Sequence, residues 1–225
     1  MFCIHNIMIY SLVSGFFLGG FVLLIGKLFD NTISAKSKKL VMDKSPELFE
    51  KGQKQVEKNL LLVSAPVYSL IYETCINKNI YWLTFEPGKW LAILGVQNIG
   101  YYCAHRLFHT SRKMYRFHHF HHKFDKILIP SIGNSVSTTE YLLAYMAPFA
   151  AGAYVTSPSE LTFIMSLFIV ALLNMSIHCI EMTKIKYSPF LVSPKKHFAH
   201  HISREKHYAA PILDVDTLIG NTVED

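Results

Sequence analysis

Charge is scarce in this chain of 225 residues: Asp, Glu, Lys and Arg supply 17% of it, where a soluble domain carries about 25%. With 51% of its residues hydrophobic, the chain must bury its surface or give it to lipid, which excludes an intrinsically disordered protein. Cysteine is sparse too. Cys3, Cys75, Cys103 and Cys179 stand far apart with no CxxC pair, which excludes a secreted disulfide scaffold and points to reduced thiols. No Lys or Arg precedes Lys27, so the first apolar run lacks the positive start of a cleaved signal peptide and reads as a retained anchor. Repeats, low-complexity tracts, zinc-finger spacing and aromatic–basic modules are all missing, so nucleic acid is not an expected partner.

What is present is a series of apolar runs. Residues 8–26 carry no charge, close to the roughly 20 needed to cross a bilayer. Residues 59–77 form a second run, interrupted by Pro66 and Glu73, and 90–109 a third, apolar as far as Ala104. Residues 141–155 and 161–177 are two closely joined arms, able to cross or to re-enter. Capping boxes at 137–140 and 157–160 open these two helices. If the runs all cross, the segments 27–58, 105–140 and 178–225 share one side and hold 8, 6 and 6 Lys/Arg, while the other side keeps Lys78 and Lys89. Positive charge marks the cytosolic side. The expected fold is therefore an all-α integral membrane bundle of about four spans with a histidine-rich cytosolic cap. Its two parts are an N-terminal membrane hairpin with a basic loop over 1–89 and a histidine-bearing domain over 90–225.

Histidine is the one residue in excess, with 12 in the chain. His105 and His109 form HxxxH at the end of the third run, and positions i and i+4 share a helix face about 5–6 Å apart. His118, His121 and His122 form HxxHH, as do His197, His200 and His201; in each, the three are expected to converge on one face, with His119 turned away. Nine residues separate His109 from His118, which in one unbroken helix would put the boxes on opposite faces, so a break is expected near Thr110-Ser111. His178 is a single, at the same end of the last run. His119, His207 and His5 are not expected in the site. So many imidazoles exceed one four-coordinate zinc and suffice for two ions, but iron, zinc and copper all accept imidazole. Asp125, Glu140, Glu181 and Glu205 are the carboxylates placed to orient imidazoles.

The HRLFH of 105–109, FHHFHH of 117–122 and KHFAHH of 196–201, in this order among apolar runs, resemble the fatty acid hydroxylase/sterol desaturase superfamily over about 90–222. His207-Tyr208 and the DTLIGNT of 216–222 resemble its closing motif. The resemblance implies two iron ions held by His105, His109, His118, His121, His122, His178, His197, His200 and His201. It also implies O2-dependent hydroxylation or desaturation of a sterol, fatty-acyl or sphingoid lipid in the endoplasmic reticulum membrane. Electrons would come from NAD(P)H through a separate cytochrome b5 or its reductase. The chain departs from the family at Ser137, where many members have histidine, and at His207, Ala209 and Val215, where Asn, Gly and Trp are usual. Three alternatives stay open: a non-catalytic member that keeps the scaffold, a metal-binding or transport protein, and a zinc hydrolase. Transport needs ionisable groups within the spans, where Glu73 alone qualifies.

Overall fold

The structure is a computed structural model that describes residues 2–125, 127–209 and 211–221, with side chains from residue 8 onward. Cys3 and His5, as side chains, and Thr222 lie outside the described residues. The described chain is all-helical, its one strand-like contact an isolated bridge between Leu191 and Leu213.

Helix α1 (Phe2–Asn31) leads into two shorter helices, α2 (Ala35–Lys44) and α3 (Pro46–Glu57). A π-helical turn, Lys58–Val63, joins α3 to α4 (Ser64–Cys75). Then come α5 (Pro87–Thr110) and α6 (Arg112–His118), and a short turn α7 (Thr138–Glu140) that continues through a second π turn, Tyr141–Met146, into α8 (Ala147–Thr156). Helix α9 (Glu160–Ile177) returns beside it, and α10 (Pro194–Ser203) and α11 (Val215–Leu218) complete the cap.

Helices α1 and α4 run antiparallel in backbone contact. At Gly19 a Cβ would stand 1.6 Å from the Leu60 carbonyl oxygen, so no larger residue fits. Between α4, α5, α8 and α9 lies a core of Tyr68, Ile71, Ile93, Phe149, Phe163 and Val170. A second core of Tyr101, Phe108, Tyr141, Tyr145, Ile177 and Tyr208 sits beneath the cap. The outer surface is also apolar: Phe17, Leu62, Leu70, Leu91, Ile99 and Val155 are all exposed.

Among the described residues two helical segments, Met8–Asn31 and Glu160–Ile177, are long and apolar enough to cross a membrane, fewer than the four expected. The expected run at 59–77 is helical but divided by its π turn, and α5 carries Gln97 and Asn98 buried at mid-helix. Of the two expected capping boxes, Ser137 accepts the Glu140 N–H at 3.1 Å as foreseen. The other starts two residues late. Ser157 ends α8 in the left-handed conformation, and Ser159 caps α9 by accepting from the Thr162 N–H. Glu160 instead accepts hydrogen bonds from Tyr10 and Tyr68, tying α9 to α1 and α4.

Candidate metal centre

The break foreseen between the first two boxes falls at Ser111, where α5 ends and α6 begins. It turns the chain back, so that His118 and His122 meet His105 and His109. The second box leaves α6 at His118 and enters a 3-10 turn at His121–Lys123. The third lies within α10, whose N-cap Ser193 accepts from the Lys196 N–H.

Nine imidazoles converge in two groups, and they are the nine singled out above. His105, His109, His118, His122 and His200 make one; His121, His178, His197 and His201 make the other. The three positions of each HxxHH box do not share a destination, as their common face had suggested. His118 and His122 enter the first group and His121 the second; His197 and His201 enter the second and His200 the first. Exposed His119 and buried His207 belong to neither group.

In the first group four Nε2 atoms form a closed ring. The contacts are 3.0 Å from His105 to His118, 2.8 Å from His118 to His122, 3.2 Å from His122 to His109 and 3.3 Å from His109 to His105. His200 closes one side, with its ring 4.7 Å from that of His105 and its Nε2 buried without a hydrogen-bond partner among the described residues. In the second group, Nε2 contacts run from His121 to His178 at 3.4 Å, to His197 at 2.9 Å and to His201 at 3.2 Å.

These contacts are not ordinary hydrogen bonds. The Nδ1 of His105 lies 2.7 Å from the Tyr208 carbonyl, that of His200 2.7 Å from the Lys206 carbonyl and that of His178 2.7 Å from the Asn174 carbonyl. A carbonyl only accepts, so each Nδ1 carries the proton and each Nε2 presents a bare lone pair. The Glu140 carboxylate accepts from His118 Nδ1 at 2.7 Å, to the same effect. Bare Nε2 atoms 3.0 Å apart on His105 and His118 repel each other unless a cation lies between them. Such spacings suit donors that share one ion at about 2.1 Å. The donor set therefore fits a metal in each group.

Burial keeps the imidazoles neutral and available. His178 is pushed down to about 4 by desolvation. His197, His200 and His201 are held well below the usual histidine range by burial first and by neighbouring imidazoles second. All nine are buried except His109, which is partly open.

Of the four candidate carboxylates, Glu140 alone orients an imidazole. Asp125 pairs with Arg204 at 3.3 Å, Glu181 accepts from Ser34 and Ser37 at 2.6 Å each, and Glu205 is exposed. The closing motif works through the backbone. Asp216 accepts from the Ala209 N–H at 2.6 Å and holds the turn that aims the Tyr208 carbonyl at His105. His207 sits in that turn at φ +59°, a left-handed conformation that Asn and His both tolerate better than most residues. Ser137 caps α7 and lies outside both groups.

Sequence reasoning missed Gly133, where a Cβ would stand 2.8 Å from His178 Nδ1. It missed the carbonyls of Asn174 and Lys206, and an apolar cavity of about 390 Å³ between α1, α4, α8 and α9 that ends at Asn134 and Asn174. Carbonyl groups carry no sequence signal; an unexplained glycine beside a histidine helix was the nearest clue.

An all-helical protein with nine imidazoles, eight of them buried, in two metal-sized groups is a defined class of architecture. A family model described as fatty acid hydroxylase matches residues 90–221. The chain belongs to the fatty acid hydroxylase family, in the fatty acid hydroxylase/sterol desaturase superfamily. No curated protein and no solved structure matches it.

Proposed function

We propose that this protein is a membrane-embedded, di-iron lipid oxidoreductase, hydroxylating in preference to desaturating, that draws a sterol, fatty-acyl or sphingoid lipid from the bilayer. The observation that carries the reading is the division of nine imidazoles, all but His109 buried, into groups of five and four, with the Nε2 lone pairs of His105, His118, His178 and His200 fixed inward. His105, His109, His118, His122 and His200 would hold one iron, and His121, His178, His197 and His201 the other. Iron bound there supplies the O2-dependent oxidation of an unactivated C–H bond, for which no side chain offers a handle. The residues themselves position and protect. Tyr208, Lys206, Asn174 and Glu140 fix the imidazole orientation, and the cores on either side keep water out.

A membrane setting is supported by the exposed apolar belt, by the two long apolar helices and by the Lys/Arg asymmetry. On this reading the cap faces the cytosol at the endoplasmic reticulum and takes electrons from NAD(P)H through a separate cytochrome b5 or its reductase.

The test is metal analysis by mass spectrometry on the detergent-purified chain beside its His200→Ala variant. About two irons per chain, reduced in the variant, support the reading. Bound zinc that supports no lipid oxidation after iron exchange, or no metal at all, overturns it in favour of a scaffold without turnover.

A further inference from the structure

The cavity beneath the cap has one polar end, at Asn134 and Asn174, and the Asn174 backbone carbonyl links that end to His178. It follows α9 from Phe163 to Asn174, about 16 Å at 1.5 Å per residue, which is half the roughly 30 Å hydrocarbon core and the depth of one acyl chain. Most polar groups on its wall are already engaged. Ser64 donates to the Leu60 carbonyl, Tyr68 to Glu160 and Tyr145 to the Gly133 carbonyl.

Asn134 and Asn174 differ. They are 6% and 2% exposed, both line the cavity, and they touch each other only loosely, with Asn174 Nδ2 3.5 Å from Asn134 Oδ1. The remaining polar atoms, Asn174 Oδ1 and Asn134 Nδ2, have no hydrogen-bond partner among the described residues. Neither spare atom is among the fully buried polar atoms that lack a partner, so both stay accessible from the cavity that their residues line. If both amides are flipped together, the pair still offers one acceptor and an N–H. That is the complement of a hydroxyl, and its N–H alone suits a carbonyl.

This end adjoins the four-histidine group. The Asn174 backbone carbonyl orients His178, and Gly133, next to Asn134 in the chain, packs against the Nδ1 side of the same ring. We infer that Asn134 and Asn174 form a polar clamp for a single-chain lipid, gripping a hydroxyl or carbonyl on its head while the alkyl tail fills the cavity towards Phe163. The clamp sets regiochemistry: carbons next to the polar substituent stand beside the histidines, and the methyl end lies about 16 Å away. This inference rests on the lipid reading proposed above and narrows it to a head-proximal position.

The experiment measures equilibrium binding of radiolabelled 1-hexadecanol and of hexadecane to the purified full-length protein, as mole fraction in detergent. Wild type is expected to favour the alcohol about tenfold. The doubly substituted Asn134→Leu/Asn174→Leu variant should bind both alike at unchanged metal content, because the Asn174 backbone carbonyl on His178 is untouched. Retained preference in that variant overturns the clamp. So does equal binding by wild type, which leaves the lipid reading standing, whereas binding of neither probe overturns both. If the double variant does not fold, the wild-type ratio decides alone.

Discussion

The Nδ1–H of His105 meets the backbone carbonyl of Tyr208 at 2.7 Å, across 103 residues of chain. The carbonyl is placed by Asp216, which accepts from the Ala209 N–H and from the Asn221 side chain at 2.8 Å. The tail motif is thus part of the five-histidine group although it contributes no donor to it. Asp216→Ala should weaken metal binding in that group by about 10–100-fold, the usual cost of losing an orienting partner. Tyr208→Phe, which keeps the carbonyl, should not. Chelator competition on both variants reads the difference, and equal behaviour would falsify the assignment.

Glu140 makes the corresponding contact to His118 with a side chain, so it can be tested by a near-isosteric change. Glu140→Gln keeps the backbone N–H that Ser137 caps but loses the carboxylate. Metal should leave the five-histidine group at lower chelator concentration, again by about 10–100-fold, while helix content stays constant by circular dichroism. An unchanged chelation curve would show that the contact at His118 is incidental.

The two groups should be separable by single substitutions. His178→Ala removes a donor from the group of four and leaves the other five in place, so about one ion per chain should remain. His109→Ala should give the converse. Mössbauer spectra of iron-loaded samples would distinguish the two residual ions; identical spectra would contradict the division.

Gly133→Ala probes packing. The new methyl would meet His178 Nδ1 at 2.8 Å and Asn174 Nδ2 at 3.0 Å, an overpacking worth about 1–3 kcal/mol. A lowered melting temperature and loss of metal from the four-histidine group are expected. A variant that melts and binds as wild type does would mean that the 130–134 turn yields freely.

Acid should act on the metal-stripped protein through the buried imidazoles. His178 is held at about 4 in the folded state by burial, whereas an unfolded histidine titrates at about 6.5. Between these values the unfolded chain binds more protons, so stability is complete above about pH 6.5 and declines as pH falls towards 4. Thermal melts across this window should show the descent. A flat profile would mean that the imidazoles are solvated.

Much of the site was legible because a metal needs donors of one chemical type at helical spacing, and HxxxH and HxxHH record that directly. The need for a break followed from rotation, and its place near Thr110-Ser111 from the capping propensity of those residues. The split of each HxxHH box did not follow, since it depends on a 3-10 turn at His121 and on the placement of α10, whose His200 meets His105 and His109 of α5. The orienting groups at His105, His178 and His200 are backbone carbonyls, invisible in any pattern of side chains. The run at 59–77 reads as a span by composition, but close approach to Gly19 and a π turn at Leu60 shape it instead.

Because each HxxHH box sends its outer histidines to one group and its inner one to the other, the two boxes are laced through both ions. Removal of one imidazole unties a single ion, but displacement of α10 or of the 3-10 turn at His121 unties the pair. If both groups hold ions, the cap would acquire its order and its metal together, because the same two boxes serve both groups.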